Sequence, residues 1–322
     1  MAKNQYLYAV ARIRSKELGL LGRSDMEQLM GMGSEKECMA YLADKGWGST
    51  EQDTAEQMLA AEREKTWDLI GELVEDMSVF NTFLYNNDFH NLKAAIKQVY
   101  TDSSLDAIYI SQGTIDATTI QEAIKERDFN RLPEFMRAAA EEAYELMMHT
   151  GDSQLCDIII DRAALDTILA KSKESGNEVL AEYGELKVAA ANINIAIRSI
   201  KTGKDRSFME RAIADCASLN KQELINAALE GLDALYGYLS TTKYAEAVEA
   251  IKESPSAFER WCDNLLIKKI RPQKYNSFTV DPIAAYLIAR EYEIKTVRII
   301  LLGKLNQLPE EIIRERLREM YV

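Results

Sequence analysis

Proline is almost missing from this chain, and that scarcity constrains its fold more than any other feature. Of 322 residues only five are proline, and the first is Pro133. Ala, Leu, Glu, Lys and Met fill the long segments between turn signals, and these residues suit a helix because they lose little side-chain freedom there. Alternating β-branched runs, the mark of a half-buried strand, are scarce. Ser104 to Ile110 and Cys156 to Ile160 are the best candidates, and both are short. The chain therefore reads as all-α. With 47% hydrophobic residues it can bury substantial cores, enough for two or three domains.

Charge narrows the function. A net charge of −13 argues against nucleic acid as a partner, because neutralising phosphates requires a basic surface. The acidity is uneven. Between Glu51 and Asp76 stand nine acidic residues, Glu62 among them, against Arg63 and Lys65. The segment reads as an outward-facing, solvated helix face, with a partner-facing acidic patch as the alternative. Lys268, Lys269, Arg271 and Lys274 form the opposite feature, with no acidic residue between Asn264 and Val280. Pro272 interrupts this basic stretch, which reads as an exposed loop serving either as a linker or as a docking surface.

Chemistry-bearing motifs are lacking. Cys38, Cys156, Cys216 and Cys262 are far apart with no Cys-x-x-Cys pair, so neither a zinc site nor a disulfide framework is expected. His90 and His149 are the only histidines, and no Glu-x-x-His pair accompanies them. Gly203-Lys204 and Gly303-Lys304 invite a phosphate-loop reading, but Arg198 and Arg298 occupy the positions of its first glycine. Gly31-Met32-Gly33-Ser34 lacks the third glycine of a dinucleotide fingerprint and reads as a loop. No catalytic residue, cofactor site or metal site is expected. No apolar leader is visible and no apolar run approaches the ~18 residues of a spanning helix, so the expected location is the cytoplasm, with any membrane met through a membrane protein.

The C-terminal segment carries the densest local signal. Asp281 suits an N-cap and Pro282 the first helical turn. Ile283, Tyr286, Leu287, Ile294, Val297, Ile300 and Leu301 recur at helical spacing, and Gly303 stands where a left-handed cap would close a helix of roughly 33 Å. Arg290, Glu291, Glu293, Lys295 and Arg298 crowd its middle and must be paired or at an interface. Leu308-Pro309-Glu310-Glu311 predicts a second helix, with Arg314, Arg316 and Arg318 toward its end.

A weak repeat runs through the chain. Asn91-Leu92-Lys93, Asn192-Ile193-Asn194 and Glu293-Ile294-Lys295 each follow a helical run close to a hundred residues apart, with Lys97, Arg198 and Arg298 a turn or more beyond. Asp88, Asn91, Asn192, Arg198, Glu291 and Arg298 either fix helix register as buried pairs or meet a partner along an inner wall.

Three stretches resemble one family. They are Tyr6-Leu7-Tyr8-Ala9-Val10-Ala11-Arg12-Ile13-Arg14, Leu84-Tyr85-Asn86-Asn87-Asp88-Phe89-His90-Asn91-Leu92-Lys93, and the C-terminal run Tyr286-Leu287-Ile288-Ala289-Arg290-Glu291 through Arg298 and Gly303-Lys304 to Tyr321-Val322. Together they are similar to the C subunits (d in eukaryotes) of rotary A-type and V-type ATPases and ATP synthases. The resemblance implies three similar helical-bundle lobes in pseudo-threefold arrangement around a central opening, here residues 1–104, 105–206 and 207–322. It implies a non-catalytic rotor subunit, peripheral on the cytoplasmic face of the membrane. Such a subunit links the D and F shaft to the membrane proteolipid ring and passes torque for ATP-coupled H⁺ or Na⁺ transport. The family-motif positions are Arg12, Arg14, Asp88, Asn91, Asn192, Arg198, Arg290, Glu291, Arg298, Gly303 and Lys304, as structural or interface residues. Lys268, Lys269, Arg271 and Lys274 are the candidate partner contact. An all-helical cytosolic adaptor unrelated to a rotary motor is the alternative.

Overall fold

The computed structural model describes residues 6–49, 53–102 and 108–322, and over these the chain is helical from end to end. Among the described residues the sole β pairing is an isolated bridge between Cys216 and Leu219. Cys156 to Ile160 sits inside a helix, Ser153–Glu174, whose first turn is fixed by Asp152 accepting from the Leu155 N–H. Of the other strand candidate, residues 104–107 lie outside the described residues, and Ile108 to Ile110 carry no strand. Glu51 and Ser104 also lie outside them.

The chain divides into two compact units. One comprises Met1–Met77, Asn177–Val179 and Glu246–Val322, so both ends of the chain build it. Its helices are α1 (Leu7–Glu17), α2 (Arg23–Gly31), α3 (Glu35–Asp44) and α4 (Ala55–Leu73), then α13 (Ala247–Glu253), α14 (Pro255–Ile270), α15 (Asp281–Leu305) and α16 (Glu310–Arg314). The other unit, Ser78–Gly176 with Leu180–Ala245, holds α5 (Tyr85–Thr101), α6 (Ala117–Glu126), α7 (Glu134–Thr150) and α8 (Ser153–Glu174). It continues with most of α9 (Glu178–Thr202), then α10 (Arg206–Ala212), α11 (Lys221–Glu230) and α12 (Leu232–Ser240).

Side chains cap several helix starts. Thr54 accepts from the Gln57 N–H at 3.3 Å while Gln57 returns the bond to the Thr54 N–H at 2.8 Å, a capping box. Ser34, Asp116, Asp205, Asn220 and Ser254 cap α3, α6, α10, α11 and α14 by accepting from first-turn backbone N–H groups, without the reciprocal bond.

In the unit built from the chain ends, α15 is the central rod: residues 281–290 are buried without interruption. It packs on α1, α3, α4 and α14, and its Ile294, Val297, Ile300 and Leu301 join Leu21, Leu29, Leu42, Met58 and Leu59 in one core. A helix segment buried on every side must be surrounded by other elements, as these ten residues are. In the other unit α5 packs on α6, α7 and α8 around Phe89, Leu92, Ile120, Met136 and Ile160.

Several details depart from the sequence reading. The backbone enters α15 already helical at Val280, so Asp281 lies in the first turn and its carboxylate instead accepts from the Val179 N–H at 3.1 Å. Gly303 does not end the helix. It is buried inside it, because a Cβ there would stand 2.5 Å from Ile313 Cγ1 as the chain returns along α16. The helix runs on to Leu305, and the left-handed residue is Gln307. The second terminal helix stops at Arg314, leaving Arg316 and Arg318 beyond it. The basic stretch is not an open loop: Lys268 and Lys269 finish α14, and Arg271–Tyr275 forms a 3₁₀ turn at the point where Pro272 has no N–H to extend the α ladder.

Candidate functional site

The repeated motif residues are placed alike. Asn91, Asn192 and Glu293 are 101 residues apart, and each lies buried within a long helix (α5, α9 and α15). Each holds a piece of backbone remote from its own helix. Asn91 donates to the Ile110 carbonyl at 2.8 Å and accepts from the Ile110 N–H at 2.9 Å. Asn192 makes the identical pair with Ala214, at 2.8 and 2.9 Å. A side-chain amide matches a peptide group donor for acceptor, so each asparagine satisfies both backbone polar groups of one residue, half-buried at Ile110 and buried at Ala214. Glu293 has no donor to offer; its carboxylate accepts from the Leu21 N–H, tying α15 to the far end of the chain.

Asp88, one turn before Asn91, is fully buried and accepts from the Thr114 N–H at 2.9 Å and the Thr114 hydroxyl at 2.6 Å. Burial pushes its carboxyl above the usual range, and the bonds from Thr114 and Ile115 pull the other way. A Cβ on Gly113 would collide with this carboxylate, so the loop can wrap Asp88 only with glycine there.

The matching position before Glu293 is Arg290, which is also buried. Its guanidinium donates to both Glu62 and Glu293 and lies over the Trp47 ring at 5.0 Å. Glu62 further accepts from the Gly48 N–H at 3.0 Å and from Lys65 at 2.7 Å. Two carboxylates thus share one buried cation, with Lys65 completing the charge balance at the edge. Burial raises the Glu293 carboxyl to about 7, against the opposing pull of Arg290 and the Leu21 N–H. Glu62 corrects the solvated-face reading of the acidic segment: it lies on the buried side of α4 with Met58, Leu59, Thr66 and Ile70. That spacing of three and four was a visible signal. Glu64, Asp68 and Glu72 of the same helix are exposed.

The other charges of α15 are also paired: Glu291 with Arg63 at 2.9 Å, Lys295 with Asp263 at 2.7 Å, and Arg298 with Glu56 at 2.7 Å. Lys304 donates to the Met30 carbonyl. Arg198 stands exposed on α9, apart from the buried pairs.

The basic stretch forms a second site, which secures the chain's last residues. Arg271 pairs with Glu319 at 3.0 Å and donates to the Met320 carbonyl at 2.6 Å, and Lys268 reaches Glu319 at 3.7 Å. Lys274 lies over the Tyr321 ring at 4.7 Å. From α1, Arg14 binds Glu17 at 2.7 Å and donates to the carbonyls of Gln273 and Asn276, whereas Arg12 is exposed. Sequence reasoning missed Glu17 and Glu319 and named Tyr321 without its contact, since no local pattern joins residue 17 to residue 321.

Among the described residues no group of three or more His, Cys, Asp and Glu is placed to hold a metal, and no helix is long and apolar enough to cross a membrane. Burial pushes the thiols of Cys38, Cys156 and Cys262 to about 11, 11 and 12, out of reach of thiolate chemistry at neutral pH.

Residues 9–316 match the family model described as ATP synthase (C/AC39) subunit. The C subunit of the V-type sodium ATPase of Enterococcus hirae is 25% identical over 317 residues, covering 96% of this chain and 97% of that protein. The C subunit of the A-type ATP synthase of Methanocaldococcus jannaschii is 24% identical over 354 residues, covering 97% and 86%. Its counterpart in Halorubrum lacusprofundi is 24% identical over 339 residues, with 96% of each covered.

Proposed function

The chain belongs to the ATP synthase (C/AC39) subunit family, and on that premise we propose that it is a non-catalytic rotor subunit of the central stalk. It sits on the cytoplasmic face of the membrane proteolipid ring, receives the shaft made of the D and F subunits, and passes torque between ATP turnover in the head and H⁺ or Na⁺ movement through the ring. A part with this role must be stiff and must grip. The observation that carries the reading is the set of buried side chains at 101-residue intervals, each bonding a remote backbone segment to the middle of a long helix. Close-packed helices tied in this way deform little under load. The equal spacing also supports three lobes, residues 1–104, 105–206 and 207–322, around a pseudo-threefold axis, with Glu293 of the last taking its partner, Leu21, from the first.

Grip comes from charged faces, which fix orientation more than they add affinity. Lys268, Lys269, Arg271 and Lys274 take part in one of these faces. The test is co-purification: the tagged chain should bring down detergent-extracted proteolipid and the D and F subunits, and a complex stripped of the chain should lose ATP-driven ion transport until it is added back. Reversing the four basic residues to Glu should release the chain from ring or shaft. A chain that purifies alone, with coupling intact in its absence, would instead support a cytosolic adaptor.

A further inference from the structure

In the unit built from the chain ends, one buried group of side chains holds more negative charge than its surroundings neutralise. Glu62 of α4 and Arg290 and Glu293 of α15 are 5%, 7% and 1% exposed, and the one guanidinium donates to both carboxylates. Lys65 reaches Glu62 with a side chain that is 47% exposed, where water screens much of its charge. Among the described residues Glu293 has no cation but the shared one: one of its oxygens accepts from Arg290 and the other from the Leu21 N–H. Two carboxylates on one buried guanidinium cannot both stay ionised without cost, and the surplus falls on Glu293. Burial pushes its carboxyl up to about 7, with Glu62 adding to the rise and Arg290 and the Leu21 N–H opposing it.

The other titratable and charged groups on the packed elements are engaged or keep their protons. Tyr286, two turns earlier on α15, is pushed by burial up to about 12. Glu17 of α1 binds Arg14 and accepts from the Tyr321 hydroxyl. Asp25 of α2 accepts from the Gly22 N–H at 2.8 Å and pairs with Lys45, just past α3, also at 2.8 Å. On α14, Glu259 and Asp263 take Lys295, and Asp263 takes Arg318 as well. Around Arg290, the Thr66 hydroxyl accepts from Nε, and the Trp47 ring faces the guanidinium.

The bond from Leu21 is also where the start of the chain is fastened. α1 packs on α15, with Ala9, Val10 and Ile13 buried. Beyond Glu17 the chain passes to α2 through a short joint that contains Gly19 and Gly22, and its Gly19 and Leu20 N–H groups bond back to the Lys16 and Glu17 carbonyls. Leu21 ties this joint to α15, and Asp25 ties Gly22 to α2. We infer that the joint is a proton-operated fastening: α1 lies closed on α15 while Glu62 and Glu293 hold one proton between them, and it opens more often as that proton leaves. Ionised Glu293 bonds Arg290 and the Leu21 N–H strongly, but only water relieves a second buried negative charge. Displacing the Leu21 backbone that lies on the carboxylate is the shortest route by which water reaches it. In the open form Glu293 returns to its ordinary value of 4.5, so the open form loses its proton first. Opening therefore grows as pH rises from about 5 to 7 and levels off above. This device belongs to the unit itself and does not rest on the rotor reading.

The test is hydrogen exchange of the purified full chain, followed amide by amide by NMR and corrected for the chemical exchange rate at each pH. Protection of Leu21 and of the α1 amides should fall about tenfold between about pH 5.5 and 7 and then hold level, while α14 and α5 to α8 keep theirs. Glu293→Gln keeps an acceptor but cannot ionise, and should abolish the fall. Glu62→Gln leaves Arg290 to Glu293 alone, so the fall should move to lower pH. Circular dichroism identical to the parent certifies that both variants are folded. In the parent, the Glu293 carboxyl carbon signal should titrate over the same range as the protection, which decides the matter if a variant does not fold. Protection of Leu21 and α1 that is independent of pH overturns the inference, as does an unaltered fall in either variant. Equal loss throughout α14 and α15 overturns it as well, because the proton would then act on the stability of the whole unit and not on one joint.

Discussion

Arg290 is a buried cation at the heart of the ion pairs in the unit built from the chain ends. It is the buried cation that Glu62 and Glu293 share, and a buried charge that loses its partner costs far more than the intact pair contributes. Arg290→Ala is expected to lower stability by about 3–5 kcal/mol in urea titrations, because both carboxylates are left uncompensated. Glu293 makes the pH dependence distinctive. Its folded pKa, about 7, lies above the ordinary value of 4.5, so the folded state holds the proton more tightly than the unfolded chain does. Its contribution is therefore greatest below the unfolded pKa and falls as pH rises toward 7, opposite in sign to an ordinary salt-bridged carboxylate. Glu293→Gln keeps an acceptor for the Leu21 N–H but removes the titration. Stability measured from pH 5 to 7 should fall less steeply for the variant than for the parent; parallel slopes would show that Glu293 stays ionised throughout.

At the scale of elements, two kinds of contact hold helices to the segments that pass them. Asn91 and Asn192 each satisfy one peptide group, half-buried at Ile110 and buried at Ala214, so replacement by Ala removes the partner of one N–H and one carbonyl. Each substitution should cost about 1–3 kcal/mol, read as a lower urea midpoint with an unchanged slope. The other contact is steric. Gly303 lets Ile313 of the short α16 approach α15 closely, so Gly303→Ala should destabilise by about 1–3 kcal/mol, even though Ala is the better helix former in isolation. Combined with Ile313→Ala, which removes the colliding atoms, the cost should be clearly less than the sum of the two single changes. Simple additivity would show that the helices separate freely.

At the scale of the whole molecule, the decisive fact is that one unit draws on both chain ends. Leu21 is bonded by Glu293, Glu17 by Tyr321, and Arg318 is buried against Asp263 at 2.9 Å. Truncation after Leu305 removes Arg318, Met320 and Tyr321 together with Ile313 from this core. Hydrogen exchange should then show lost protection in α1, α14 and α15, with α5 to α8 of the other unit unchanged. Uniform loss across both units would mean that they fold as one cooperative body.

The all-helical class was legible, and the capped helix starts and the buried side of α4, a segment that reads as solvated because acids crowd it, likewise depend on neighbours within one or two turns. Thr54 with Gln57, Ser254 with Pro255, and the run Met58, Leu59, Glu62, Thr66, Ile70 are local facts. The spacing of Asn91, Asn192 and Glu293 was legible too, though not what each residue holds: Ile110 and Ala214 lie about twenty positions ahead, whereas Leu21 lies at the opposite end of the chain. Gly303 reads as a stop by its backbone freedom, yet it continues a helix because Ile313 needs the space, and Lys268 to Lys274 read as an open loop although they secure the C-terminus. Sequence by itself settled what each segment is, since propensity and capping are short-range. Which charges are buried, which ends meet and which side chains remain exposed were decided only by tertiary packing, where contacts between distant residues determine how each is solvated.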